Sequence, residues 1–471
     1  MINTMETKAT FFSQQQKSLS IRNSTAKQRV VKLQALRGWI AENTEEIRKA
    51  LYADLKKSTS ESDITEISMV KGEISHAISN LSSWMAPKKV KNPLHMLGST
   101  AYVSPEPKGC ALIISPWNYP FNLCIGPLVS AIAAGCTAWL KPSEMAPHTA
   151  ALIRRMVQEL YEPEEITVSE GGVEVSELLL SLPFDHIFFT GSTDIGKVVM
   201  KAASAHLSSV TLELGGKSPV LIDKDCDLKD AARKVAWAKF INAGQTCIAP
   251  DYVLVQESVY EAFKTHLQES LEAMGNPKGR GMDESLDYGR IINGKHWSRL
   301  KTLLEEAVAG GGRVVYGGEL DEANNFFSPT LIEGVDNSIG LMTEEIFGPI
   351  LPLQPYTLLD EVLAMINSRE KPLALYLFST EEYIQDQVAF RTSSGALCIN
   401  DCAVHFGHPA LPFGGVGQSG MGKAHGYYGF LAFSNEKAVF KQRKGFSPIK
   451  TFYPPYTMKT KKLIGYFLKW V

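Results

Sequence analysis

Apolar positions early in the chain recur at three- and four-residue steps. Val30, Leu33, Leu36 and Ile40 follow that spacing within 24–56, which predicts helix with one buried face. Asn43, with Glu46 three positions later, predicts a capping arrangement for a following helix whose apolar face carries Ile47 and Leu51. Pro87 and Pro93 bracket a lysine-rich connector, and 100–103 reads as a short extended piece.

From Cys110 the pattern changes. CALIIS (110–115), TAWLKPS (137–143), ITVSEGG (166–172), HIFFTGS (186–192) and VTLELGG (210–216) are short apolar runs. Helical candidates near 121–134, 147–161, 173–181 and 194–206 lie between them. This alternation predicts parallel βαβ units with helices on both faces of a sheet. Such sheets bind ligands at the carboxyl ends of their strands. A second alternating region runs from about Asp227 to Asn400, with helices expected at 228–242 and 258–273 and strands around GGRVVYGG (311–318). LPFGGVGQSGMG (411–422) carries too much glycine for a packed strand and predicts a loop of close backbone approach.

A length of 471 residues exceeds one ordinary core, so two or three domains are expected. Lys+Arg 48 against Asp+Glu 50 leaves a charge of −2, which gives no broad attraction for nucleic acid. The seven cysteines are dispersed and lack Cys-x-x-Cys spacing, which fits a reducing compartment better than a disulfide framework or zinc knuckle. The ten histidines form no HExxH, and His405 and His408 have no evident third ligand, so no metal site is expected. The opening residues lack the apolar core of a secretory signal. At the far end the apolar run 463–471 is broken by Lys469 and is too short to span a bilayer. Lys459, Lys461 and Lys462 beside it suit loose attachment to an anionic membrane surface, and packing on a subunit is an equal alternative.

Taken singly, the polar motifs say little. Asn118 in PWNYP (116–120) is either a donor for a developing oxyanion or a turn residue. Lys141 and Glu144 in KPSE suit ribose hydroxyls or a solvated loop. FTGSTDIG (189–196) offers backbone N–H groups and a helix start to phosphate, or an ordinary capped turn. Glu213 in ELGGKSP (213–219) is a general-base candidate if burial raises its pKa. Glu345 and Phe347 in EEIFGP (344–349) suit a ribose and a ring, or merely end a helix. Cys247 in GQTC is a nucleophile candidate or core filler.

Their order carries more. PWNYP, KPSE, FTGST, ELGGKSP, GQTC, EEIFGP and PFGG, in that sequence, resemble the NAD(P)-dependent aldehyde dehydrogenase superfamily over about 27–456. The short N-terminal arm, LPFGGVGQSGMG and YPPYT (453–457) resemble its class 3, or fatty-aldehyde, branch. One departure is KAHGYYGF (423–430), where the branch more usually has tyrosine before the histidine. The resemblance implies an α/β fold of three parts. A Rossmann-type cofactor domain takes 1–82, 106–211 and 402–440, and an α/β catalytic domain takes 212–401. A bridging, oligomerising arm takes 83–105 and 441–457, leaving a tail at 458–471. It implies that Cys247 attacks an aldehyde, that the Asn118 amide and the Cys247 N–H hold the oxyanion, and that Glu213 activates water to release an acid. The cofactor would lie across Lys141, Glu144, Gly191, Ser192, Gly196, Glu345 and Phe347. Glu144 favours NAD by repelling a 2′-phosphate, although the branch often tolerates NADP. Tyr119, Trp237 and Phe413 would line an apolar tunnel for medium- or long-chain aliphatic or aromatic aldehydes, with a plain core role for Trp237 equally open. A cytoplasmic homodimer is implied, with peripheral membrane association through the tail as an alternative location. Acyl transfer to coenzyme A and a non-catalytic structural role are the rival functions; retention of Glu213 argues against the first and the full set of reactive positions against the second.

Overall fold

Buried apolar strands at 110–114, 137–141, 166–168, 186–190 and 209–213 assemble a parallel sheet in the order 209–213, 186–190, 110–114, 137–141, 166–168. A two-residue strand, Gly420–Met421, closes its edge antiparallel to Ser209–Glu213, pairing Gly420 with Glu213. The helices Asn122–Ala134, Pro147–Leu160, Val173–Leu180 and Thr193–Ser204 connect the strands where the sequence pattern places them. The computed structural model describes residues 4–275, 281–445 and 447–469. A second sheet of seven strands runs in the order 313–316, 330–333, 350–356, 252–256, 219–222, 374–378, 396–399, and is parallel apart from its first strand. The fold is therefore α/β, with one apolar core around the second sheet and two on the faces of the first.

A third, antiparallel sheet joins Lys88–Val90, Ser99–Pro107 and Ser434–Gln442, registered from Ser434↔Pro107 to Gln442↔Ser99. These strands run through 105/106 and 440/441, the positions where the sequence suggested boundaries.

The predicted helical stretch 24–56 is broken at Asn43 into Ala26–Glu42 and Thr44–Leu55. Asn43 does not cap with its side chain. Its amide nitrogen donates to the Trp39 carbonyl at 2.9 Å and its oxygen accepts from Arg155 at 3.1 Å, so neither is free for the next helix. The capping box lies one helix earlier, at Thr25 and Gln28. The opening helix Thr4–Ile21 has no clear apolar stripe, yet it buries Phe11 edge-on against Phe184 and sends the Gln14 amide to the Ala138 carbonyl at 3.1 Å. Two specific anchors replace a continuous face. The closing helix Met458–Phe467 leaves Met458, Tyr466 and Phe467 exposed. Among the described residues, no helix is long and apolar enough to cross a membrane.

Candidate active site

Parallel strands put their carboxyl ends on one edge, and the polar motifs collect there. Lys141, Thr190 and Glu213 are the last residues of their strands, and Asn118 follows four residues after Ile114. The second sheet brings Cys247 to the same place.

Cys247 stands on an unusual turn. The helix Leu228–Phe240 gives way to three successive left-handed residues, Asn242 (φ 53°), Ala243 (φ 52°) and Gly244 (φ 75°). A Cβ on Gly244 would come within 2.3 Å of the Gly348 carbonyl oxygen, so only glycine lets GQTC pack against the EEIFGP loop. The Gln245 amide pins the turn from inside, donating to the Asn242 and Arg290 carbonyls at 3.0 Å each and accepting from the Ile292 N–H at 3.0 Å. Burial pushes the Cys247 thiol up to about 12, and the carboxyls of Glu345 and Glu213 add to the rise. The N–H groups of Cys247 and Ile248 face the sulfur and partly oppose that rise. On balance these influences favour the thiol over the thiolate.

Glu213 lines the same cavity as Cys247. It is buried, and neither carboxyl oxygen has a hydrogen-bond partner. Desolvation holds its pKa well above the usual carboxylate range, with the Lys423 charge as the opposing influence. Lys423 itself is held by the carbonyls of Gly414 and Gly415 in the glycine-rich loop. A buried carboxyl without a partner costs stability.

The Asn118 amide donates to the Gln245 carbonyl at 3.0 Å, linking the first sheet to the turn that carries Cys247. An amide nitrogen has two N–H groups, so one stays available to an oxyanion. Beneath Asn118 lies a buried network that the sequence reading missed. The Lys57 ammonium bonds the Glu66 carboxylate at 2.7 Å and the Asn118 carbonyl at 3.2 Å, both side chains being wholly enclosed. The same carbonyl accepts from the Asn242 amide at 2.8 Å, and Glu66 accepts from the Asn122 N–H at 2.8 Å. Lys57 also sits 4.1 Å from the centre of the Tyr119 ring. Glu61 is buried beside this pair with one oxygen unpartnered, and desolvation raises its pKa to about 7. No motif marks these residues; Lys57, Glu61 and Glu66 look like surface helix charges until the chain folds.

The remaining candidates form a cradle along the strand ends. The Lys141 ammonium and the Glu144 carboxylate pair at 2.7 Å. Burial pushes the Glu144 pKa up, but the Lys141 bond, the residue's own backbone N–H and the Lys141 charge together outweigh it and the net shift is down. Gly191 donates its N–H to the Glu213 carbonyl at 3.0 Å, and Gly196 packs its helix against Leu214. Ser192 precedes the helix Thr193–Ser204 without a side-chain cap. The first N–H groups of that helix are thus left for an anion. Glu345 lies over Gly215 and accepts from the Gly216 N–H, while burial lifts its pKa to about 7. Phe347 takes a left-handed φ of 48° and packs edge-on against Trp117. An uncapped helix start, an ion pair and a carboxylate beside aromatic rings fit the phosphates, ribose hydroxyls and flat ring of a dinucleotide. Among the described residues, no cluster of three or more histidine, cysteine, aspartate or glutamate side chains could hold a metal ion.

Two cavities meet at Cys247. One, of about 290 Å³, is mostly apolar and is lined by Ile64, Tyr119, Leu123, Trp237, Val404 and Phe406 among others. Trp237 is 39% exposed at its wall, so the indole is a cavity lining and not core filler. The Tyr119 hydroxyl is tied to Thr246 Oγ1 at 2.6 Å, which leaves its ring to face the cavity. The other cavity, of about 180 Å³, contains Glu213, and Phe413 lines this one instead of the first.

The description "Aldehyde dehydrogenase family" belongs to a family model that matches residues 3–439. The 4,4'-diaponeurosporen-aldehyde dehydrogenase of Staphylococcus aureus is 44% identical over 98% of this chain and 98% of its own length. Aldehyde dehydrogenase family 3 member B1 of Rattus norvegicus is 44% identical over 94% of this chain and 93% of its own. The solved substrate-bound state of Staphylococcus aureus AldH superposes with a TM-score of 0.93 at 42% identity, covering 99% of this chain and all of that one.

Proposed function

The chain belongs to the aldehyde dehydrogenase family and oxidises aldehydes to carboxylic acids with NAD(P), and we propose that Cys247, Asn118 and Glu213 carry out that oxidation. The observation behind the proposal is the pairing of a thiol and an unpartnered buried carboxyl on one cavity wall. Cys247 gives up its thiol proton to solvent as the sulfur bonds to the aldehyde carbon. The new oxyanion accepts from the free Asn118 N–H and from the Cys247 N–H, each such donor being worth about 3 kcal/mol in the transition state. Loss of hydride from that carbon re-forms the carbonyl as a thioester. Glu213, as a carboxylate, then removes a proton from water as the water oxygen adds to the thioester carbon. Collapse expels the sulfur and releases the acid. NAD(P)⁺, when bound, supplies the hydride acceptor and a positive charge. The start of helix Thr193–Ser204, with Gly191, Ser192 and Gly196, would hold its phosphates; Lys141, Glu144 and Glu345 its hydroxyls; and Phe347 a ring. Glu144 favours NAD over NADP, because a 2′-phosphate would meet its carboxylate.

The substrates are medium- to long-chain aliphatic or aromatic aldehydes. The apolar lining from Leu123 to Trp237 and Val404 supports this, as does the similarity to an enzyme named for a 4,4'-diaponeurosporen-aldehyde. A panel of unbranched aldehydes run with NAD and with NADP tests it. Burial of each added methylene contributes about 0.8 kcal/mol, so kcat/KM should climb up to about fourfold per carbon until the cavity is filled. A profile that is flat or falls from the shortest member overturns the reading. Glu213 suits water as the acyl acceptor, so added coenzyme A should leave the rate unchanged.

A reducing, cytoplasmic setting suits seven free cysteines. A homodimer joined through the antiparallel sheet of 88–90, 99–107 and 434–442 is the expected assembly. The exposed apolar residues of Met458–Phe467, beside Lys459, Lys461 and Lys462, would serve any contact with a membrane surface.

A further inference from the structure

The two cavities at Cys247 share the walls Met69, Asn122, Leu123 and Phe406, so they are lobes of one space divided at the sulfur. An unbranched chain leaving the carbonyl carbon needs only the lobe that Trp237 lines. The lobe that holds Glu213 extends between the helices Ser68–Trp84 and Asn122–Ala134, past Gly126, Pro127, Phe188 and Ala424. Its depth has a cause in the sequence. Gly126 is an interior helix residue, and a Cβ built there would meet only the Asn122 side-chain oxygen, at 3.8 Å. Gly72, across from it on the other helix, has nothing within 4 Å. Glycine inside a helix costs about 0.5–1 kcal/mol relative to alanine, and no neighbour demands it at either position. Gly126 also eases the contact with the ring of Pro127, since a residue before proline is crowded through its Cβ. Either way the wall lacks a side chain. Ala424, also on the wall, adds only a methyl group. A void of ~150 Å³ is large enough to admit benzene, so about 180 Å³ is room for one ring, with Gly126, Pro127, Phe188 and Ala424 as its apolar wall and Glu73, Thr190, Glu213 and His425 as its polar one.

We propose that Gly126 is a specificity-determining residue, and that the lobe it opens receives a second, bulky apolar substituent carried on the carbon next to the aldehyde, a phenyl ring or a branched alkyl group. This rests on reading the Cys247 cavities as the aldehyde site. Such a substrate places its chain in one lobe and its branch in the other. The reacting carbon stays between Asn118 and Glu213.

The experiment compares kcat/KM for 2-phenylpropanal with that for hexanal, in the wild type, Gly126→Leu and Ala424→Tyr. The second variant fills the lobe from another wall residue without touching the helix. One or two methylenes of misfit in an apolar pocket change discrimination by about 10–200-fold. The ratio of the branched to the unbranched substrate should therefore fall at least tenfold in both variants, at unchanged melting temperature. An unchanged ratio in the folded Ala424→Tyr protein overturns the proposal. Failure of the wild type on hexanal itself would instead count against the aldehyde site, so the two readings fail separately.

Discussion

The Asn118 side-chain amide donates to the Gln245 carbonyl at 3.0 Å, so the proposed oxyanion donor is fastened to the same turn that carries Cys247. The proposed donor and the proposed nucleophile follow from different sheets and are joined through this one hydrogen bond. Asn118→Ala should lower kcat by about 10²–10³ with little change in KM for the aldehyde, because the lost donor acts on charge that forms only in the transition state. Steady-state kinetics checks this. A loss confined to KM would make Asn118 a binding residue.

Lys57 gives that link its foundation. Its ammonium neutralises Glu66 and holds the Asn118 carbonyl in a place closed to water. Removal of one partner of a buried pair typically costs about 3–5 kcal/mol, because the other charge is left uncompensated. Lys57→Met should lose that much in urea unfolding, and adding Glu66→Gln should restore part of it. Equal losses in the single and double variants would contradict the coupling.

Glu61 makes stability depend on pH. Its carboxyl is raised from 4.5 to about 7 by burial, against the pull of Lys57 and the Asn242 N–H; Glu66 and Asp287 reinforce the rise. Below pH 4.5 the group is protonated in both the folded and unfolded chain. Between 4.5 and about 7 folding takes up a proton, so stability falls as pH rises, and the cost is complete above about 7. Glu61→Gln keeps an acceptor for the Asn242 N–H but cannot ionise. Its stability relative to the wild type should improve by up to about 3 kcal/mol from pH 5 to pH 8. A difference independent of pH would remove Glu61 from this role.

Much of the first sheet is legible in the sequence because parallel strands buried on both faces read as apolar runs, and CALII, TAWLK and HIFFT are such runs. The candidate residues at their ends follow from the same alternation. The Lys57–Glu66 pair is not legible, since a lysine and a glutamate nine residues apart look like any solvated helix. Their burial is decided by contact with Asn118, 61 residues further on. The helix Thr4–Ile21 escapes for a related reason: its anchors, Phe11 and Gln14, meet Phe184 and Ala138 across more than a hundred residues. Asn43 misleads because a capping pattern predicts only an available side chain, and Trp39 and Arg155 have already engaged it.

The task proposed for Glu213 is hydrolysis after oxidation. Glu213→Gln removes the proton acceptor while keeping size and shape. A rapid-mixing experiment should show a burst of reduced cofactor equal to the enzyme concentration, followed by turnover at least a hundredfold slower than wild type. Sustained wild-type turnover without a burst would contradict the assignment.

Cys247 forming a covalent acyl bond is the claim on which the others depend. The most direct measurement is peptide mass spectrometry of the Glu213→Gln protein, acid-quenched during turnover of hexanal. The account predicts a hexanoyl mass on the peptide containing Cys247, absent when cofactor is omitted. An acyl group found only at other residues, or none at all while acid is being formed, would contradict it.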